Sequence, residues 1–261
     1  MPLDLTRSVA VLTGAGSGIG RATAQALALR GAKVVVTDLD EERANTVAAE
    51  IGDAAVAARC DVTEVGDLAA ARDVALDRFG RVDLVMNNVG VLAVGPVEAI
   101  PLEGWARVVD INLMSVVRSL TVFLPGLLEQ GSGHIVNTAS TAGLFPYGYD
   151  RLPYATTKHA VVGLSESLAV YLRPRGIGVS CFCPAGVMTN IMEQITFYGD
   201  PHPPRGPDFG VVDAETAAEL VVEGVARNRF LIVTTDEVYD ELRERGADLE
   251  AYLARVIADN A

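Results

Sequence analysis

Cysteine, histidine and tryptophan are scarce in this chain: three, three and one in 261 residues. A zinc site needs about four ligands. Cys60, Cys181 and Cys183 supply one close pair and no second. Cys181 and Cys183 alternate as strand residues do, so buried reduced thiols are the expectation. His134, His159 and His202 are scattered without metal spacing, and His159 reads as a helix-surface residue. No metal is expected. Basic residues are also in short supply, 21 against 34 acidic ones, for a formal charge of −13. That balance repels phosphates and excludes nucleic acid and anionic membranes as natural partners. No apolar run reads as long and uncharged enough to span a bilayer. The opening "MPLDLTRSVAVLTGAGSGIG" lacks the basic start and small-residue cleavage site of a signal peptide, which makes the cytoplasm the expected location.

Half of the chain is hydrophobic, enough for a large core. Apolar strand-like runs alternate with helical patterns. Strands are expected at 9–13, 33–38, 55–62, 82–88, 133–140, 178–185 and 229–235. Helices are expected at 18–30, 40–51, 64–79, 103–130 and from Tyr154 onward, with two more in a C-terminal extension over about 236–261. Such alternation, with strands apolar on both faces, calls for an α/β fold: a doubly wound parallel sheet of about seven strands with helices on both sides. The Pro-rich "GDPHPPRGPDFG" (199–210) is too short to divide domains, so residues 1–261 read as a single domain without repeats.

Three local features point to chemistry. "TGAGSGIG" (13–20) is a glycine-rich turn between the first strand and the first helix. There, backbone N–H groups can approach a pyrophosphate at the positive helix end, although the spacing is not a literal G-x-G-x-x-G. Asp38 ends the second strand, where a carboxylate can accept hydrogen bonds from ribose hydroxyls and repel a 2′-phosphate. Asp40 is the better candidate for capping the helix that follows. No basic residue stands at Ser17 or Leu39 to attract that phosphate, so NAD is favoured over NADP. In "YATTK", Tyr154 and Lys158 lie one helical turn apart. A phenol with pKa near ~10 needs a shift of ~2–3 units, about 3–4 kcal/mol, to act as a base near neutrality. A cation one turn away supplies energy of that order at an effective dielectric near ~20. Tyr147 also has a basic residue four places on, Arg151, but "PYGYDRLP" reads as loop, and Pro153 marks the entry to the helix beginning at Tyr154.

Together with "CDV" (60–62), "NNVG" (87–90), Asn112 in "DINL", Ser140 in "NTAS" and "PAGVMT" (184–189), these motifs resemble the short-chain dehydrogenase/reductase family over about residues 5–235. The resemblance implies a Rossmann-type sheet and hydride transfer between a nicotinamide and a secondary alcohol or ketone. It casts Tyr154 as the proton-transferring group and Ser140 as the residue that orients the substrate oxygen. Lys158 is cast as tuning Tyr154 and holding the nicotinamide ribose, and Asn112 as holding a relay water. Gly14, Ser17, Gly18, Ile19 and Gly20 would form the phosphate turn, with Asp38 on the ribose. Asp61 and Val62 would meet the adenine, Asn88 and Gly90 the adenosine ribose, and Val187 and Thr189 the carboxamide. Asn87 would tie strands together. Enoyl reductases of related fold place tyrosine and lysine farther apart; seven places before Lys158 stands Arg151, which disfavours that chemistry. The implied partners are a small alcohol or ketone and further copies of the chain, as dimer or tetramer. The alternatives are an NADP-linked ketoreductase and a catalytically silent dinucleotide-binding regulator, the latter disfavoured by the complete set Asn112, Ser140, Tyr154 and Lys158.

The chain departs from the family at Val89, at Ala185 and by one extra residue between Ser140 and Tyr154. The segment 187–204, with Met188, Ile191, Met192, Ile195, Phe197 and Tyr198, reads either as a helix packed on the core or as a lid over an apolar substrate. Leu249, Leu253 and Val256 fall on one face of the last helix, a stripe that could seal the core, cover the pocket or join subunits.

Overall fold

The computed structural model describes residues 3–200 and 208–261. His202 and most of the Pro-rich stretch lie outside the described residues, as does the Met192 side chain. Seven parallel strands form one sheet: β1 (Val9–Leu12), β2 (Lys33–Asp38), β3 (Ala55–Arg59), β4 (Leu84–Asn87), β6 (Gly133–Thr138), β7 (Ile177–Cys183) and β11 (Leu231–Val233). Their order is β11-β7-β6-β4-β1-β2-β3. The chain runs outward from β1 through β2 to β3, then returns to lay β4 on the other side of β1. That reversal opens a crevice beyond the carboxyl ends of β1 and β4, the usual place for a ligand in such sheets.

The sheet is apolar on both faces because its strands alternate between two cores. Leu12, Val34, Val36 and Met86 face one cluster, closed by α1 (Gly18–Leu29), α2 (Glu41–Ile51) and α7 (Ala214–Ala226). Val11, Val35, Val85 and Ile135 face the other, closed by α3 (Val65–Phe79), α5 (Ser115–Gln130) and α6 (Leu152–Leu172). Each fully buried side chain of this kind contributes roughly 1.5–3 kcal/mol. The buried Asn87 and Asn137 amides bond across β4 and β6 at 2.8 Å, so Asn87 does tie strands together.

The helix expected at 103–130 is interrupted. α4 (Leu102–Val109) passes through a π-turn, Asp110–Met114, into α5. By length and apolar composition this run, Leu102–Gln130, is sufficient to cross a membrane, contrary to the sequence expectation. In the fold one face of it packs on the sheet, burying Val116, Val122, Phe123 and Leu127. Arg118 and Asp110 pair across the π-turn. Four short strands were not anticipated: β5 (Leu92–Val94), β8 (Gly186–Val187), β9 (Ile195–Phe197) and β10 (Val211–Val212), paired β5 to β9 and β8 to β10.

The segment after β7 is therefore not an α-helix. β9 is strapped to β5, and Tyr198 packs with Ile100 and Trp105. The extension forms α8 (Glu237–Ala247) and α9 (Leu249–Asp259). Its inward face keeps part of the expected stripe: Val256 is buried and Leu253 half-buried, but Leu249 is exposed and Tyr252 is buried in its stead. Tyr252 wins because its hydroxyl reaches Glu241 on α8 at 2.6 Å, so a large ring can be buried with its polar end satisfied. These residues pack with Val238, Leu144 and Phe145, so the extension seals a third core cluster.

Candidate active site

A cavity of about 1270 Å³ opens at the switch point. Its walls include Gly14, Ser17, Gly18 and Ile19 from the first turn; Asp38, Asp61, Val62, Asn88 and Gly90 from the strand ends; and Ser140, Tyr154, Lys158, Val187 and Thr189 opposite. These are fourteen of the positions singled out in the sequence, Tyr154 counted once for its two roles. Gly20 and Asn112 stand behind the wall instead. A Cβ on Gly20 would lie 2.2 Å from the Gly14 carbonyl oxygen, so glycine there permits the turn to fold against its own helix. Asn112 is buried in the π-turn; its amide oxygen accepts from Val91 N–H at 2.8 Å, and its amide N–H donates to Val91 O at 3.0 Å and Thr157 Oγ1 at 3.2 Å.

The first turn fits a dinucleotide phosphate. The positive end of α1 points its free N–H groups at the cavity, and Ser17, at the cap position, makes no side-chain capping bond. Asp38 accepts from Gly16 N–H at 3.0 Å and Asp40 N–H at 3.1 Å, which holds its carboxylate beside the turn. Asp40 caps α2 by accepting from Glu42 and Arg43 N–H, leaving Asp38 to the cavity. Asp61 accepts from Thr63 N–H at 2.9 Å and Oγ1 at 2.7 Å; these bonds hold its carboxyl below the usual range. Asn88 bridges the elements: its N–H donates to Thr13 Oγ1 and its side chain to Gly14 O.

At the other end, α6 begins at Leu152, two residues before Tyr154. Pro153 sits in the first turn, where its missing N–H costs nothing. The loop after β6 lies directly on this helix. A Cβ on Gly143 would come 2.6 Å from the Lys158 carbonyl oxygen, and this close approach brings Ser140 to Tyr154. Ser140 Oγ accepts from Ala142 N–H at 3.1 Å and lies near enough to Tyr154 to pull its pKa downward. With one lone pair engaged by the backbone, the hydroxyl proton is free to point at the phenolic oxygen.

Lys158 is 3 % exposed. Its Nζ donates to Thr138 O at 2.8 Å and lies 5.5 Å from the Tyr154 ring centroid. Burial lowers its pKa to about 8. Burial also raises the Tyr154 pKa; the influences that pull it back down are the Ser140 hydroxyl and the Arg151 cation. The lowering influences on the phenol in this structure thus come from Ser140 and Arg151, beside the Lys158 cation that the sequence pointed to. Lys158 is anchored on Thr138 and itself partly discharged near pH 8, while Arg151 supplies a second cation.

Arg151 belongs to a 3-10 turn, Tyr149–Arg151, within the stretch expected to be loop. It forms a two-pronged pair with the buried Asp150, at 2.7 and 3.0 Å. Tyr147, which stays in the loop, donates to or accepts from Thr141 Oγ1 at 2.8 Å. It feels Arg151 too, through tertiary proximity and not a shared helix. Cys181 and Cys183 are buried free thiols whose sulfurs lie 3.7 Å apart. Among the described residues no cluster of three His, Cys, Asp or Glu is placed to hold a metal.

Sequence reasoning also missed Arg43, which lines the cavity wall beside Asp38. Its partner, Glu193, lies in the 3-10 turn Asn190–Gln194.

With this geometry in view, the comparisons with known proteins are direct. The short chain dehydrogenase family profile matches residues 8–197. The chain is 40 % identical over 199 residues to a cyclohexanol dehydrogenase of an Acinetobacter species, covering 74 % of this chain and 78 % of that one. It is 35 % identical over 254 residues to the 1-deoxy-11-beta-hydroxypentalenate dehydrogenase of Streptomyces exfoliatus, covering 95 % and 90 %. A short chain dehydrogenase/reductase from Burkholderia phymatum, solved in complex with NAD, superposes with a TM-score of 0.85 at 35 % identity, covering 95 % of this chain and 96 % of that one. The protein is an oxidoreductase of the short-chain dehydrogenase/reductase family, with a nicotinamide-dinucleotide-binding Rossmann fold.

Proposed function

We propose that the chain is an NAD-dependent dehydrogenase for an apolar secondary alcohol, or the matching ketone in reverse. The observation that carries this reading is the Ser140–Tyr154–Lys158 arrangement, gathered in one cavity with a phosphate turn and an acid at the ribose position. Bound there, the nicotinamide would supply the hydride chemistry. The chain's residues do the rest. Gly14, Ser17, Gly18 and Ile19 would hold the pyrophosphate, Asp38 the ribose hydroxyls, Asp61 and Val62 the adenine, and Asn88 and Gly90 the adenosine ribose. Val187 and Thr189 would hold the carboxamide. Ser140 would donate to the substrate oxygen, and Tyr154 would take the hydroxyl proton in oxidation or return it in reduction. Lys158 would grip the second ribose, while Asn112 would fix Val91 and the π-turn behind it and hold the relay water.

The apolar substrate class is supported by the wall residues Val91, Leu92, Ile191 and Phe209 and by the cyclohexanol in the name of one relative. The half-buried apolar strip Val117, Leu120, Leu124 and Leu128 on α5 supports assembly into a homo-oligomer. The test is a panel of secondary alcohols, cyclic and linear, with NAD and NADP, followed by the absorbance of the reduced nicotinamide. Turnover of cyclic secondary alcohols with NAD is expected. No turnover of any alcohol or ketone with either cofactor would overturn the reading.

A further inference from the structure

Beside the acid that selects the ribose stands a cation that the first turn and second strand do not contain. Arg43 rises from the first turn of α2. A Cβ built on Gly16 would lie 2.7 Å from Arg43 Cβ and 2.8 Å from Asp38 Oδ2, so arginine and aspartate flank the same point above the phosphate turn. A guanidinium so placed would be available to a phosphate on the adenosine 2′-oxygen. It is not free. Its NH2 group donates to Glu193 Oε2 at 3.1 Å, and its Nε lies 3.4 Å from Asp40 Oδ2. Glu193 is itself held, accepting from Asn190 Nδ2 at 3.0 Å on its other oxygen. Asp38, Asp40, Arg43 and Glu193 all line the cavity, so three carboxylates surround one guanidinium.

We propose that Glu193 is a cofactor-specificity residue: by holding Arg43 across the mouth of the cavity, it denies that cation to a 2′-phosphate and reinforces Asp38 in favour of NAD. The inference rests on the dinucleotide-binding reading above and adds a residue from the segment over the substrate side of the cavity. Discrimination here has two parts, a repulsive acid and a sequestered base. A single change at Asp38 removes the first and leaves the second in place.

Equilibrium titration of NAD and NADP, by calorimetry and without turnover, tests this in four proteins: unmodified, Asp38→Ala, Asp38→Ala/Glu193→Gln, and the triple variant that adds Arg43→Ala. Asp38→Ala should narrow the preference for NAD. Adding Glu193→Gln should tighten NADP a further tenfold or about so, with NAD moving less than about twofold. Adding Arg43→Ala should erase that gain, and added salt should shrink it, because the partly exposed guanidinium is screened. NADP affinity unmoved by Glu193→Gln, or a gain that survives Arg43→Ala, would overturn the proposal. Equal shifts for both cofactors would also overturn it, assigning the pair to holding the 190–194 turn. If the unmodified protein bound neither dinucleotide, the function reading itself would fall.

Discussion

Two cations on helices line opposite ends of one cavity, and they are governed by different physics. Lys158 is sealed at the catalytic end, anchored on a backbone carbonyl, and burial brings its pKa down to about 8. Arg43 stands in partial solvent at the adenosine end, and carboxylates, first of all Glu193, hold its charge in place. At the buried end the protein adjusts whether a charge exists. At the exposed end it adjusts where a fixed charge is directed. The first device suits proton transfer and the second suits discrimination between ligands.

The sharpest way to test the catalytic end is to remove the proton it is meant to move. Tyr154→Phe should lower kcat by about a thousandfold while NAD affinity stays within about twofold, read by single-turnover kinetics and calorimetry. Tyr147→Phe should retain most activity; an exchange of the two results would make the loop tyrosine the proton-transferring group. Ser140→Ala should cost about a hundredfold in kcat. It should also move the alkaline rise in alcohol oxidation to higher pH, because a hydroxyl that lowers the Tyr154 pKa is lost. A lower rate with an unmoved profile would confine Ser140 to orienting substrate.

Lys158 offers a test independent of turnover. Its folded pKa lies below its unfolded value, so between pH 8 and 10.5 the folded protein binds fewer protons than the unfolded one. This group therefore weakens the fold most below pH 8 and progressively less as pH rises. Lys158→Met should be more stable than the unmodified protein at pH 7 by about 1–3 kcal/mol, allowing for the lost Thr138 contact, with the gap closing toward pH 10.5 in urea titrations. A gap independent of pH would contradict a burial-lowered lysine. The smallest effect belongs to the adenosine end: Asp38→Ala should shift the NAD-to-NADP ratio of kcat/KM by about tenfold toward NADP. An unchanged ratio would remove Asp38 from cofactor choice.

Why one end was legible in the sequence and the other was not follows from distance along the chain. Tyr154 and Lys158 sit one turn apart, so helical geometry alone places them together. Asp38 was legible because a strand end has a known relation to the turn beside it. Arg43 and Glu193 are 150 positions apart and meet only after the sheet is assembled. The same reason separates the seven long strands from the short ones. Runs such as "KVVVTD" carry their own apolar signature, whereas Leu92–Val94 and Ile195–Phe197 become strands by pairing with each other. On α9 the stripe count favoured Leu249. It missed Tyr252 because a hydroxyl partner on another helix is what makes that ring buriable.

The π-turn at Asp110–Met114 acts as a phase shifter between two rotors. An α-helix advances about 100° per residue, and a π-turn takes up one residue more than the α-helical count. Deleting a single residue there should let α4 run into α5 as one regular helix. The faces downstream would keep their direction, whereas winding the same residues as regular helix without the π-turn would turn everything downstream by about 100° relative to α4. So wound, Val122, Phe123 and Leu127 could no longer face the sheet while Gly104 and Val108 keep their packing. The inward aim of Asn112, and with it the hold on Val91 beside Lys158, is thus set by arithmetic along the helix as much as by the asparagine itself.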